Sequence, residues 1–192
     1  MPRLLIMGPP GAGKGTQSQG IANRYGVPAI STGDIFRRHV REQTILGQQV
    51  EQLLAAGKFV PDKITVKMVA QRLAEQDAQA GFLLDGFPRT VGQVDSLDAI
   101  LQARGETLDA VVQLDVDVDV LAPRLHKRAE IEGRADDDEE TIRHRLDTYT
   151  KETEPLLTIY RERGLLLTVD GEASVEAVAK AIYDGLDAKV SS

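Results

Sequence analysis

Near the start of the chain, Gly8-Pro9-Pro10-Gly11-Ala12-Gly13-Lys14-Gly15-Thr16 sets one lysine among glycines and prolines. Such glycines allow unusual backbone dihedrals that turn several amide protons inward, and a following helix adds positive potential at the same spot. Lys14 supplies a mobile cation for the outer phosphates of a nucleotide. The short apolar run before the loop and the helical pattern after it give the strand-loop-helix context that a phosphate-binding loop requires. The residue after Lys14 is Gly15, where many such loops carry the hydroxyl that ligates magnesium, and Thr16 comes one position later. A magnesium ion then rests on phosphate oxygens, water and a carboxylate elsewhere. Asp85, which ends the apolar run 82–84, is the candidate carboxylate, acting through water at the carboxyl edge of a strand, where ligands bind in open α/β folds.

Of the 23 basic residues, 15 are arginine. A planar guanidinium grips phosphate through two parallel hydrogen bonds, so this excess points to small phosphorylated ligands. Phosphoryl transfer needs alignment and positive charge on the migrating group but no covalent nucleophile, and arginines supply both. The chain has no cysteine, which excludes disulfides, thiolate zinc sites and a cysteine nucleophile. His39, His126 and His144 have no neighbour at metal or triad spacing and are expected in ordinary surface roles. Phe36, Phe87 and Tyr149 are read as packing residues. A net charge of −7 argues against a general nucleic-acid partner. The opening apolar run, 4–7, is too short for a signal core or a membrane span, so a cytoplasmic protein without a membrane partner is expected.

The elements that must position these groups follow from periodicity. At 192 residues the chain reads as a single domain. Apolar runs at 3–7, 27–30, 82–85, 110–115 and 165–169 are expected strands. Helical patterns cover 13–24, 34–40, 46–56, about 62–80, 91–104, 118–129, 138–163 and 174–188. Strand-helix alternation predicts an α/β fold with a parallel sheet covered on both faces. On 138–163 the positions Ile142, Leu146, Tyr149, Thr153 and Leu156 form one buried stripe, with Arg145 beside it and Arg143 in solvent. Pro155 is expected to kink or interrupt that helix, and Asp137 with Glu140 offers an acidic capping box at its start. The stretches 31–60 and 129–137 read as inserts on the core.

Beyond the loop, Ser31-Thr32-Gly33-Asp34-Ile35-Phe36-Arg37, Asp85-Gly86-Phe87-Pro88-Arg89-Thr90 and the run from Gly133 and Arg134 to Thr141 narrow the choice. In order and spacing the four segments resemble the adenylate kinase family over about residues 2–171, in its short-lid form. The resemblance implies a P-loop kinase core with a five-stranded parallel sheet (1–30, 61–126 and 138–192), an AMP-binding insert at 31–60 and a lid at 127–137. It implies reversible transfer from MgATP to AMP giving ADP, with nucleotides as partners, a monomer, and no structural zinc. Carried over, Gly11, Ala12, Gly13, Lys14, Gly15 and Thr16 would hold the ATP phosphates. Arg124 would stack near the ATP base, Arg128 would contact phosphate, and the backbone of Gly171 to Ala173 would touch that base. Thr32, Arg37, Lys58, Phe59, Val60, Gly86, Arg89 and Gln93 would contact AMP, while Arg134 and Arg145 would bridge the transferred group. Lys14, Arg89, Arg128, Arg134 and Arg145 would form the catalytic set, and Phe87–Pro88 would be cis. A UMP/CMP kinase shares most of these motifs, but Thr32 and Thr90 favour AMP. A silent nucleotide sensor, a different class, would be expected to lose Lys14 or a clamp arginine.

Overall fold

The computed structural model describes residues 1–132 and 138–190 of the chain. The elements in order are β1 (Arg3–Met7), α1 (Lys14–Tyr25), β2 (Ala29–Ser31), α2 (Thr32–Arg41), α3 (Ile45–Ala55), α4 (Asp62–Leu73), β3 (Phe82–Asp85), α5 (Val91–Ala103), β4 (Ala110–Asp115) and α6 (Val118–Glu132). After these come α7 (Glu139–Thr148), a π turn at Tyr149–Thr153, α8 (Pro155–Glu162), β5 (Leu166–Asp170) and α9 (Val175–Val190). The strands form one parallel sheet in the order β2-β3-β1-β4-β5, which is the expected fold class.

The apolar runs suit a sheet buried on both faces, because successive residues of one strand enter different cores. Leu5 and Met7 join Leu84 and Val111 in one cluster, while Leu4 and Ile6 join Leu83 and Val112 in the other. The first core is closed by α4, α5 and α8 through Val69, Leu73, Leu97, Leu157 and Tyr160, and the second by α1 and α9 through Ile21, Val178, Ile182 and Leu186. The register sets Ile6 beside Asp85, and Asp85 beside Ser31, so the carboxyl ends of β1, β3 and β2 share one edge.

Local chemistry sets where the helices begin. Ser31 caps α2 by accepting from the Asp34 amide at 3.2 Å, and Thr90 caps α5 by accepting from the Gln93 amide at 3.2 Å. The cap of α7 is Asp138, which accepts from the Thr141 amide at 3.1 Å, one position later than the expected acidic pair. Asp137 lies outside the described residues.

Other boundaries differ from the sequence expectation. The second strand is Ala29–Ser31 rather than 27–30, since Pro28 has no N–H to donate and serves instead as an acceptor for the Leu83 amide at 2.9 Å. The helix expected over 62–80 stops at Leu73, where Glu75 turns to extended backbone. A 3₁₀ turn at Gln76–Ala78 then buries Ala78 completely, and the Arg72 guanidinium holds Asp77 by two bonds of 2.8 and 2.7 Å. The long helix expected over 138–163 is interrupted before Pro155, and the widened π turn accommodates the carbonyl that the proline ring would meet in an α-helix. Helix α6 runs through 127–132, into the residues expected to open the lid.

Candidate active site

At the carboxyl edge of the sheet a cavity of about 840 Å³ opens at the ends of β1, β2 and β3. The loop from Gly8 to Gly13 forms its floor. Gly8, Gly11 and Gly13 all have positive φ, and Gly13, in the left-handed region at φ 93°, delivers the chain into α1. An L side chain at Gly13 would be strained there. The helix N-terminus and its unpaired amides therefore face the cavity, an arrangement suited to anions. The Lys14 ammonium donates to the carbonyls of Gly8 at 2.8 Å and Pro9 at 3.0 Å.

Gly11 to Thr16, Arg124, Arg128, Gly171 and Ala173 all line this cavity, as do Arg37, Phe59, Asp85, Gly86, Arg89 and Arg145. Arg124 Nη1 donates to the Gly171 carbonyl at 3.1 Å, bridging α6 to the segment after β5. Arg37 pairs with Asp34 one turn earlier on α2. Burial pushes Lys14 from its ordinary 10.5 down to about 8, Asp85 pulls it back up, and Arg89, Arg145 and Arg128 lower it further. Burial likewise raises the Asp85 carboxyl above its ordinary range, against the pull of Lys14 and Arg89. A site whose positive groups repel one another gains from added phosphate.

A second cavity of about 50 Å³ adjoins the first, lined by Thr32, Lys58, Val60 and Gln93 with Phe36, Leu54 and Thr65. Gly33, Phe59, Gly86 and Arg89 line both cavities, so Arg89 stands on their boundary. Its Nε donates to the Gly86 carbonyl at 2.9 Å, and its guanidinium lies 5.3 Å from the centre of the Phe59 ring. Gly86 has φ +80°, and a Cβ there would come 2.7 Å from Thr32 Oγ1 and 3.0 Å from Arg89 Nη2. Phe87–Pro88 is cis.

The structure thus brings the expected site residues into two adjoining cavities, except Arg134, which lies outside the described residues. Two readings from sequence need correction. Tyr149, expected on a buried helical stripe, is only partly buried and lines the larger cavity from the π turn, as does Thr153, which is buried as expected; burial pushes the Tyr149 phenol well above its ordinary range. Thr90 lies behind the cavity wall, donating from Oγ1 to Asp62 Oδ2 at 3.0 Å. Sequence reasoning did not single out Gln17, whose amide donates to the Val175 carbonyl at 3.0 Å and ties α1 to α9 beside the loop; no local signal marks a contact across 158 positions. Among the described residues no cluster of three or more carboxylates and histidines is placed to hold a metal, and no helix is long and apolar enough to cross a membrane.

The family model "Adenylate kinase" matches residues 6–165. The chain belongs to the adenylate kinase family. It is 58% identical over 186 residues to the adenylate kinase of Clavibacter michiganensis, covering 97% of this chain and 93% of that one. To the adenylate kinase of Leifsonia xyli it is 55% identical, with 95% and 92% covered. The adenylate kinase of a Nocardioides strain is 53% identical, with 96% and 97% covered. As a member of the adenylate kinase family the chain is a nucleotide-binding transferase that moves a phosphoryl group between ATP and AMP.

Proposed function

We propose that the larger cavity takes MgATP, the smaller one takes AMP, and the γ-phosphoryl group crosses between them at Arg89, giving ADP on both sides. The observation that carries this reading is that Arg89 and Gly86 line both cavities, which a one-nucleotide hydrolase would not need. An AMP phosphate oxygen attacks the γ-phosphorus as the bond to the β–γ bridging oxygen breaks, and the electron pair stays on the departing ADP. Lys14 and the loop amides hold the donor phosphates. Arg128 and Arg145 on one side, Arg89 on the other and Arg134 from the lid gather charge around the migrating group. Arg124 and the backbone of Gly171 and Ala173 hold the donor base, while Thr32, Arg37, Gln93 and the 58–60 segment hold the acceptor.

Magnesium fits this donor set. The loop offers Gly15 and then Thr16 where a hydroxyl ligand often stands, and Asp85 is the carboxylate beside it, so a hydrated ion borne by the triphosphate suits the site better than a protein cage. Bound there, the ion neutralises charge on the phosphate oxygens. The insert 31–60 and the lid 127–137 close over the nucleotides and exclude water, which would otherwise hydrolyse ATP. The expected state is a monomer in the cytoplasm, where its nucleotide substrates are found.

An assay offering AMP, CMP, UMP and GMP with MgATP tests the acceptor. AMP should be strongly preferred, and a preference for CMP or UMP would overturn the assignment. Two adenosines joined through five phosphates should bind far more tightly than ATP or AMP alone, and equal affinity would sink the two-cavity mechanism.

A further inference from the structure

Gln93 lies beside the smaller cavity, 2% exposed, with both ends of its amide engaged. Nε2 donates to Asp62 Oδ1 at 2.7 Å, and Oε1 accepts from the Arg89 backbone N–H at 2.7 Å. These partners decide which end is which. A carboxylate only accepts and a peptide N–H only donates, so a flipped amide would set oxygen against oxygen and N–H against N–H. The second oxygen of Asp62 accepts from Thr90 Oγ1, which in turn accepts from the Gln93 backbone N–H at 3.2 Å, closing a ring at the first turn of α5. Asp62 itself lines neither cavity and reaches in from the first residue of α4.

Each end of the Gln93 amide keeps one capacity: Nε2 has a second hydrogen and Oε1 a second lone pair. An amide used in this way offers a donor and an acceptor side by side, the complement of a purine edge. A six-amino purine presents an acceptor at N1 and a donor at position six, whereas a six-oxo purine presents the reverse order. For one placement of the base, the orientation of the amide therefore selects between them.

We infer that Asp62 is a positioning residue that fixes the orientation of Gln93 and so sets the preference of the acceptor cavity for a six-amino over a six-oxo purine monophosphate. The inference rests on the acceptor reading above. A purely structural Asp62, joining α4 to α5, would change stability but leave the base preference alone.

The test compares kcat/KM for AMP and inosine monophosphate, with MgATP as donor. Asp62→Ala leaves the amide oriented from the Arg89 N–H side alone and takes the carboxylate acceptor from its nitrogen, and the preference for AMP should fall at least about tenfold while KM for MgATP stays within about twofold. Asp62→Asn still offers Gln93 an oxygen and lets its nitrogen donate to Thr90, so its preference should stay within about threefold of wild type. If Asp62→Ala does not fold, Asp62→Ser takes its place with the same reading, since its hydroxyl no longer forces one orientation. A wild-type preference in Asp62→Ala or Asp62→Ser, or a collapsed one in Asp62→Asn, overturns the role of Asp62. A wild-type enzyme that does not prefer AMP to inosine monophosphate overturns the acceptor reading itself, before any variant is made.

Discussion

The hydroxyl of Thr153 donates to the backbone carbonyl of Arg89 at 2.9 Å, joining the π turn to the segment between β3 and α5 across 64 positions of chain. Thr153 is buried, so the bond is shielded from water. With Gln93 accepting from the Arg89 N–H, the backbone of this arginine is held from both sides. Replacing Thr153 by valine keeps the shape and leaves that carbonyl without this donor, which should cost about 1–2 kcal/mol of stability. Turnover should fall roughly three- to thirtyfold as Arg89 loses its setting, since small misplacements at a reacting centre cost rate steeply. Urea unfolding and steady-state kinetics measure the two effects, and Thr153→Ser should restore most of both.

Lys14→Met should lower turnover by about 10² to 10³ or more, because the charge that stabilises the outer phosphates is removed. Near-normal turnover would contradict the role given to the phosphate loop.

The same lysine gives the nucleotide-free protein a pH dependence. Folding lowers its pKa from 10.5 to about 8, so between those values the unfolded chain binds the proton more tightly than the folded one. Unfolding then takes up protons, and the contribution of Lys14 to stability becomes more favourable as pH rises through about 8 toward 10.5. Below that window the cost of burying the charge is present in full. The difference in unfolding free energy between wild type and Lys14→Met, followed from pH 7 to 10, should move in favour of wild type. The difference largely cancels the titration of the tyrosines.

Gly86→Ala places a methyl group against Thr32 Oγ1 and Arg89 Nη2 in a backbone region that alanine adopts only with strain. A loss of about 1–3 kcal/mol in stability and roughly a tenfold rise in KM for AMP should follow, with KM for MgATP little changed. Thermal unfolding and paired substrate titrations separate these outcomes.

Chelation should divide activity from stability. Removing magnesium should abolish turnover, whereas a strong zinc chelator should shift the melting temperature of the nucleotide-free protein by less than about 1 °C. Stoichiometric zinc in the purified protein would overturn the second expectation.

The sheet and the phosphate loop were legible because their signals are local. Gly8 to Thr16 fixes a turn through its own dihedrals, and the strand runs are apolar whichever neighbours they find. Asp85 was legible for a related reason: a carboxylate ending an apolar run must sit at a strand end. Contacts set by packing between distant segments were not. The bond from Thr153 to Arg89 depends on how α8 docks against the sheet, and the π turn that creates it has no period of its own in the sequence. The pairing of Asp62 with Gln93 depends on the crossing of α4 and α5. Thr90 was read as favouring AMP, but its hydroxyl caps the start of α5 and donates to Asp62.

All five strands run the same way, and the site lies at the edge where they end. The Pro2 carbonyl accepts from the Phe82 amide at 3.1 Å, at the start of β3, and Lys189 Nζ donates to the Gly164 carbonyl at 2.8 Å, just before β5. Both ends of the described fold therefore emerge on the face opposite the mouth. A carrier protein or a solid support attached through either end would leave nucleotide traffic unobstructed.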